Sequence, residues 1–117
     1  MATTERTCDK AEITGRLKEL PGWGYNGQTI FRTYATDGWK STMLVVNAIA
    51  YVCETAGHHP DLEVSWPKVT VKLWTHSAKG ITDKDFATAK LIEQTVLWHP
   101  DKGSALRGSP KPTARGE

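Results

Sequence analysis

A two-layer α+β domain is predicted, with three helices on one face of a four-stranded antiparallel sheet, in the order α-β-β-α-β-β-α. Three observations lead there. The apolar residues switch between helical and two-residue spacing along the chain, the strand-like runs come in adjacent pairs, and the helical stretches separate those pairs.

The first helix rests on Ile13, Leu17 and Leu20, which recur at i, i+4 and i+7 and so share one face, and Pro21-Gly22 ends it. Trp23 to Tyr25 and Thr29 to Thr36 flank Asn26-Gly27, the dipeptide favoured where both central residues of a two-residue hairpin need positive φ. Two antiparallel strands are expected there. From Trp39 to Glu54 the positions Trp39, Met43, Val46, Ala50 and Cys53 step by four and three. Leu44, Val45, Ile49 and Val52 widen that face, and Ala56-Gly57 closes the longest helix, since glycine takes the left-handed cap conformation readily. Val64 to Trp66 reads as a short strand disturbed by Pro67. Val69, Val71 and Leu73 then alternate with Thr70, Lys72 and Trp74, the period of a half-buried strand. His76, if the strand continues, shares a face with Trp74 and Lys72. Thr82 opens the last helix, with Phe86, Ala89, Glu93 and Val96 along one stripe.

Residues 1–98 make one domain, which 117 residues can supply with a core of its own. Residues 99–117 hold three of the six prolines and three of the ten glycines and few large apolar groups, so they read as a tail that buries little. The tail also carries the net charge of +2: Lys102, Arg107, Lys111 and Arg115 oppose Asp101 and Glu117, while residues 1–100 sum to zero. No basic face of the kind a phosphate backbone requires is present, and nucleic acid is not an expected partner. No apolar run approaches the ~20 residues of a membrane span, and Met1 to Arg6 lack the basic-then-apolar pattern of a secretory signal. The expected location is the cytoplasm. Cys8 and Cys53 share no metal spacing, and Cys53 reads as a small buried hydrophobe beside a Cys8 placed near a frayed end.

Three of the four histidines, His58, His59 and His76, fall within 19 residues. An imidazole ordinarily titrates near pH ~6.5, so a group of them gives and takes protons at neutral pH with no cofactor. That suits acid and base chemistry on a small substrate. A metal is not expected: adjacent His58 and His59 leave the backbone in different directions, and no His-x-His, His-x3-His or Cys-x2-Cys spacing accompanies them. Glu54, four residues before His58 at the end of the long helix, is placed to hold an imidazole's tautomer. Thr82-x-x-Asp85 has the shape of a capping box.

Glu54-x3-His58-His59-Pro60, Trp66 six residues on, Thr75-His76 ten beyond Trp66 and Asp85 nine after His76 resemble the signature of the pterin-4a-carbinolamine dehydratases. The resemblance covers most of the chain. It implies the two-layer fold above, assembly as a homodimer or homotetramer, and no cofactor. It also implies the reaction, loss of water from 4a-hydroxytetrahydrobiopterin to give the quinonoid dihydrobiopterin in pterin cofactor recycling. His58 and His76 would be the acid/base pair and His59 would line the pocket, while Glu54, Pro60, Trp66, Asp85 and Trp23 would help bind the pterin. Trp66 stands where the family most often has Tyr, Gly57 where animal members tend to carry Asp, and Pro67 in place of a common Asn.

The alternative is a non-catalytic binding protein on the same fold. Some bacterial relatives look like RuBisCO assembly factors and tend to lack the paired histidines. Trp66-Pro67, Trp74 and Leu97-Trp98-His99-Pro100 would suit such a surface, and aromatic anchors are common at interfaces.

Overall fold

The computed structural model describes residues 5–117; Met1–Thr4, part of the stretch read above for a signal pattern, lie outside the described residues. Helix α1 (Lys10–Arg16) continues into one 3-10 turn (Leu17–Glu19) and is followed by β1 (Gly24–Tyr25), β2 (Ile30–Ala35), α2 (Trp39–Ala56), β3 (Asp61–Ser65), β4 (Lys68–Leu73), α3 (Asp83–Val96) and β5 (Arg115–Gly116). The strands form one antiparallel sheet in the order β1-β2-β4-β3, with β5 also paired to β2. The α+β class, the three helices and the four main strands are as expected.

Alternation along the strands selects the buried face. Ile30 and Tyr34 of β2 and Val69, Val71 and Leu73 of β4 point to the helices, and they meet Val45, Ile49 and Cys53 of α2 and Phe86, Ala89 and Ile92 of α3. The opposite face carries polar pairs, including Thr33 with Thr70 at 2.8 Å and Lys72 with Glu63 at 2.6 Å.

Several local expectations need correction. The first hairpin does not use a two-residue turn: Tyr25 pairs with Ile30, so Asn26–Thr29 form a four-residue loop. Its Asn26 Oδ1 accepts from the backbone N–H groups of Gln28 and Thr29 at 2.9 and 2.8 Å, and only Gly27 has positive φ. Strand β3 starts at Asp61, earlier than expected, and Trp66-Pro67 become the two-residue turn between Ser65 and Lys68. In α2 the inward stripe is Thr42, Val45, Ile49 and Cys53, rotated from the Met43-Val46-Ala50 line. The rotation has a polar cause: buried Thr42 donates from Oγ1 to the Trp66 carbonyl at 2.6 Å and lies 2.5 Å from Thr36 Oγ1. Cys8 is buried, its N–H bonded to the Ile81 carbonyl, and so belongs to no frayed end.

The tail is also tied down at its far end. Ala114 is buried, Arg115 and Gly116 pair with Ala35 and Tyr34, and Arg115 bonds Asp37 at 3.0 Å. Its anchor is Arg32, a cation on the core side of β2. Arg32 Nη1 donates to the Glu117 carbonyl at 3.2 Å, and a Cβ on Gly116 would stand 1.8 Å from Arg32 Nη2, so only glycine lets the strand come this close.

Arg32 needs a counter-charge, and α3 supplies it. Glu93 Oε1 lies 3.3 Å from Arg32 Nε and accepts from Tyr34 Oη at 2.6 Å and Trp23 Nε1 at 3.1 Å. Burial, and then the bond to Glu93, hold the Tyr34 phenol far above its ordinary range. Glu93→Ala would leave a buried cation and two donors unpaired, so we expect a loss of about 2–3 kcal/mol in urea denaturation. Burial also pushes the Cys53 thiol up to about 11. Alkylation of the folded protein at pH 8, followed by mass spectrometry, is expected to leave Cys53 unmodified until urea unfolds the chain.

Candidate active site

Helix α2 ends on Gly57, whose φ of 73° turns the chain left-handed while its N–H caps the Cys53 and Glu54 carbonyls. The chain leaves through His58-His59-Pro60 directly into β3. Because Asp61 pairs with Lys72, the start of β3 lies beside the end of β4, and Thr75 and His76 follow there. A tight turn closed by the Thr75–Gly80 bridge then leads into α3. One end of the sheet therefore collects Glu54, His58, His59, Pro60, His76 and Asp85.

Asp85 is the centre of this end. It is 0% exposed and occupies the third position of α3, where its Oδ2 accepts from the Thr82 backbone N–H at 2.9 Å and Thr75 Oγ1 at 2.8 Å. Thr82 Oγ1 completes the cap by accepting from Lys84 N at 3.2 Å. The Thr75 proton goes to Asp85, so the Thr82 hydroxyl donates to Thr75 Oγ1, 2.7 Å away. The other oxygen, Oδ1, meets His58 Nε2 at 2.7 Å. One carboxylate thus both caps α3 and holds His58. Since a carboxylate only accepts, His58 carries its proton on Nε2 and keeps Nδ1 as the nitrogen open to proton exchange when neutral.

Glu54 serves the other histidine. Its Oε1 lies 2.8 Å from His59 Nε2, both side chains being exposed, whereas the sequence reading paired it with His58. The helix end explains the difference: the left-handed Gly57 turns His58 inward to α3 and leaves His59 outside. His76 is exposed and its ring lies 4.1 Å from that of Trp74, tilted by 42°.

The two tryptophans stand apart from this cluster. Trp66 is 64% exposed at the far turn of the β3–β4 hairpin, and six residues at ~3.3 Å each put roughly 20 Å between it and Pro60. Trp23 is buried with its Nε1 committed to Glu93, eight residues or about 12 Å along α3 from Asp85. Residues that sequence reasoning did not assign to the site are Thr75 and Thr82 as partners of Asp85, and Glu5, whose carboxylate accepts from Ser77 Oγ beside His76. Thr82 had a visible signal as a helix cap. Glu5 had none.

Size and chemistry point to different places. A cleft of about 700 Å³ opens between α2, the end of α3 and residues 106–114, lined by Leu44, Val96, Trp98, Leu106 and Arg107 among others, but among the described residues no Asp or Glu lines it, and neither His58 nor His76 does. A smaller, more polar cleft of about 450 Å³ adjoins the His76 turn, beside Trp74, Tyr25, Gln28 and Lys79. The cluster of imidazoles and carboxylates makes the sheet end the candidate site. Among the described residues, no group of three His, Cys, Asp or Glu side chains is arranged to hold a metal, and no helix is long and apolar enough to cross a membrane.

A sequence model described as "Pterin 4 alpha carbinolamine dehydratase" matches residues 6–95. A protein of Aquifex aeolicus named "Putative pterin-4-alpha-carbinolamine dehydratase" is 46% identical over 91 residues, covering 78% of this chain and 92% of that one. A protein of the same name from Roseiflexus sp. is 43% identical over 86 residues, 74% of this chain and 92% of its own. Among solved structures, a "transcriptional coactivator/pterin dehydratase" from Brucella melitensis superposes with a TM-score of 0.72 at 24% identity, over 77% of this chain and 98% of that chain, a likeness of fold.

Asp85→Asn keeps an acceptor for the helix cap and places an amide N–H₂ against His58. We expect the His58 proton to move from Nε2 to Nδ1, read as an exchange of the two ring-nitrogen shifts in long-range ¹H–¹⁵N spectra.

Proposed function

Because the chain belongs to the pterin-4a-carbinolamine dehydratase family, we propose that it dehydrates a 4a-hydroxytetrahydropterin by proton transfer through His58 and His76. The observation that carries this reading is the bond from His58 to a buried Asp85 whose other oxygen is fully engaged.

The reaction removes the hydroxyl from C4a and the proton from N5, and the N5–C4a double bond forms as water leaves. Two proton movements on one ring need two titratable groups. His58 suits the proton acceptor at N5, because Asp85 fixes its tautomer and stabilises the imidazolium that forms. His76 then donates to the departing hydroxyl. Its exposed ring beside Trp74 supports a role at a surface cleft that admits a flat bicyclic substrate. His59, held by Glu54, lines the entrance, and Pro60 fixes the direction in which the pair leaves α2.

The part assigned to Trp66 and Trp23 is smaller than the family resemblance implies. Neither reaches the histidines within one chain, so ring stacking falls to residues nearer the His76 turn. A homodimer or homotetramer, the cytoplasmic location and a part in pterin cofactor recycling remain within this proposal. The binding-protein alternative draws support from Trp66 and Trp98, which are 64% and 65% exposed. It offers no use for a buried carboxylate reserved for one imidazole.

The test is turnover of freshly generated 4a-hydroxytetrahydropterin. We expect His58→Ala and His76→Ala each to lower kcat by roughly 10²-fold or more with the circular dichroism unchanged, and His59→Ala to cost less. Wild-type rates in the first two variants would remove the assignment. No acceleration by the folded wild type would favour the binding protein.

A further inference from the structure

Residues 5–8 run against the turn that carries His76. The Cys8 N–H bonds the Ile81 carbonyl at 2.7 Å, and Thr7 covers Gly80 so closely that a Cβ there would meet Thr7 Cγ2 at 3.0 Å. Ahead of them, the Glu5 carboxylate accepts from Ser77 Oγ at 2.6 Å and is ion-paired with Lys84 Nζ. Glu5 lies just outside the stretch that matches the family, which begins at residue 6.

Thr75 ties the base of the turn to α3 through Asp85 and Thr82, and the tip beyond His76 is held at Ser77 by Glu5. The bonds within the turn, Ala78 N and Gly80 N to the Thr75 carbonyl and Lys79 N to the His76 carbonyl, define the shape of the tip. Lys79 takes φ of 55° within it, a conformation that non-glycine residues adopt sparingly. Ser77 is the neighbour of His76, and Lys84 is the neighbour of Asp85, which holds His58. A carboxylate joining Ser77 to Lys84 therefore joins the frames of the two imidazoles.

We propose that Glu5 is a positioning residue, which bridges Ser77 to Lys84 and so fixes His76 relative to the His58–Asp85 pair. Exposed ion pairs add little to global stability, so the use of this one is local order. The Lys84 bond first, then that of Ser77, hold the Glu5 carboxyl below its usual range, with a smaller contribution from the charge of nearby His58. A depressed carboxyl keeps its bridge at neutral pH and loses it only as the pH falls through the lowered value.

The inference rests on the dehydratase reading for its catalytic half, and its test has a half that does not. Hydrogen exchange at the amides of Ala78, Lys79 and Gly80 reports the turn directly. In Glu5→Ala we expect these amides to exchange about 3–5-fold faster, those of α2 to stay unchanged, and kcat to fall by a similar factor with KM nearly constant. Glu5→Gln, which keeps an acceptor for Ser77 but not the charge for Lys84, is expected between the two. Ser77→Ala should reproduce part of the effect and add nothing to Glu5→Ala. Unchanged exchange in Glu5→Ala overturns the proposal, as does faster exchange with a wild-type kcat. A wild type without turnover would instead sink the dehydratase reading, and the exchange rates would still decide whether Glu5 holds the turn.

Discussion

The buried Asp85 carboxylate is the constraint on which the site end of the molecule depends. A charge with no exposure is costly unless every strong acceptor position is met, and here the donors come from three separate segments. The Thr82 backbone N–H fixes where α3 begins, Thr75 fixes where β4 ends, and His58 fixes how the chain leaves α2. Misplacing any of the three would cost the buried carboxylate one of its partners. The arrangement of two histidines at the sheet end is thus enforced by folding energetics as well as by whatever the imidazoles do afterwards.

Helix α3 repeats this device two turns later with Glu93, turned to a different use. Its carboxylate gathers the cation of Arg32, the phenol of Tyr34 and the indole of Trp23 within the core. Each acid is met by at least three donors, which sit on strands, on the chain leaving a helix or at a helix cap. One ties His58 to the start of α3; the other lets a strand carry a buried guanidinium.

Much of this was legible in the sequence. Alternation placed Val69, Val71 and Leu73 inward, helical spacing placed Phe86, Ala89 and Glu93 on the working side of α3, and the cap pattern at Thr82 and Asp85 was read correctly. The motif spacing gathered Glu54, His58, His59, His76 and Asp85, and the structure brings them to one end. What remained hidden depends on contacts between distant segments. Thr42 rotates α2 through a bond to the Trp66 carbonyl, Gly57 redirects Glu54 from His58 to His59, and a tail rich in proline and glycine ends as a strand because Arg32 reaches it. No local pattern encodes these. The same holds for Glu5, whose partners lie 72 and 79 positions away.

The docking of β5 alters what the sheet offers to other chains. Strand β2 gives one side to β4 and divides the other between β1, at Ile30 and Phe31, and β5, at Tyr34 and Ala35. The long backbone row left unpaired is that of β3. An added strand would therefore meet an unbroken five-residue edge at β3, but on the opposite flank only two short, separate segments, so the two flanks are unequal as templates for continuing the sheet.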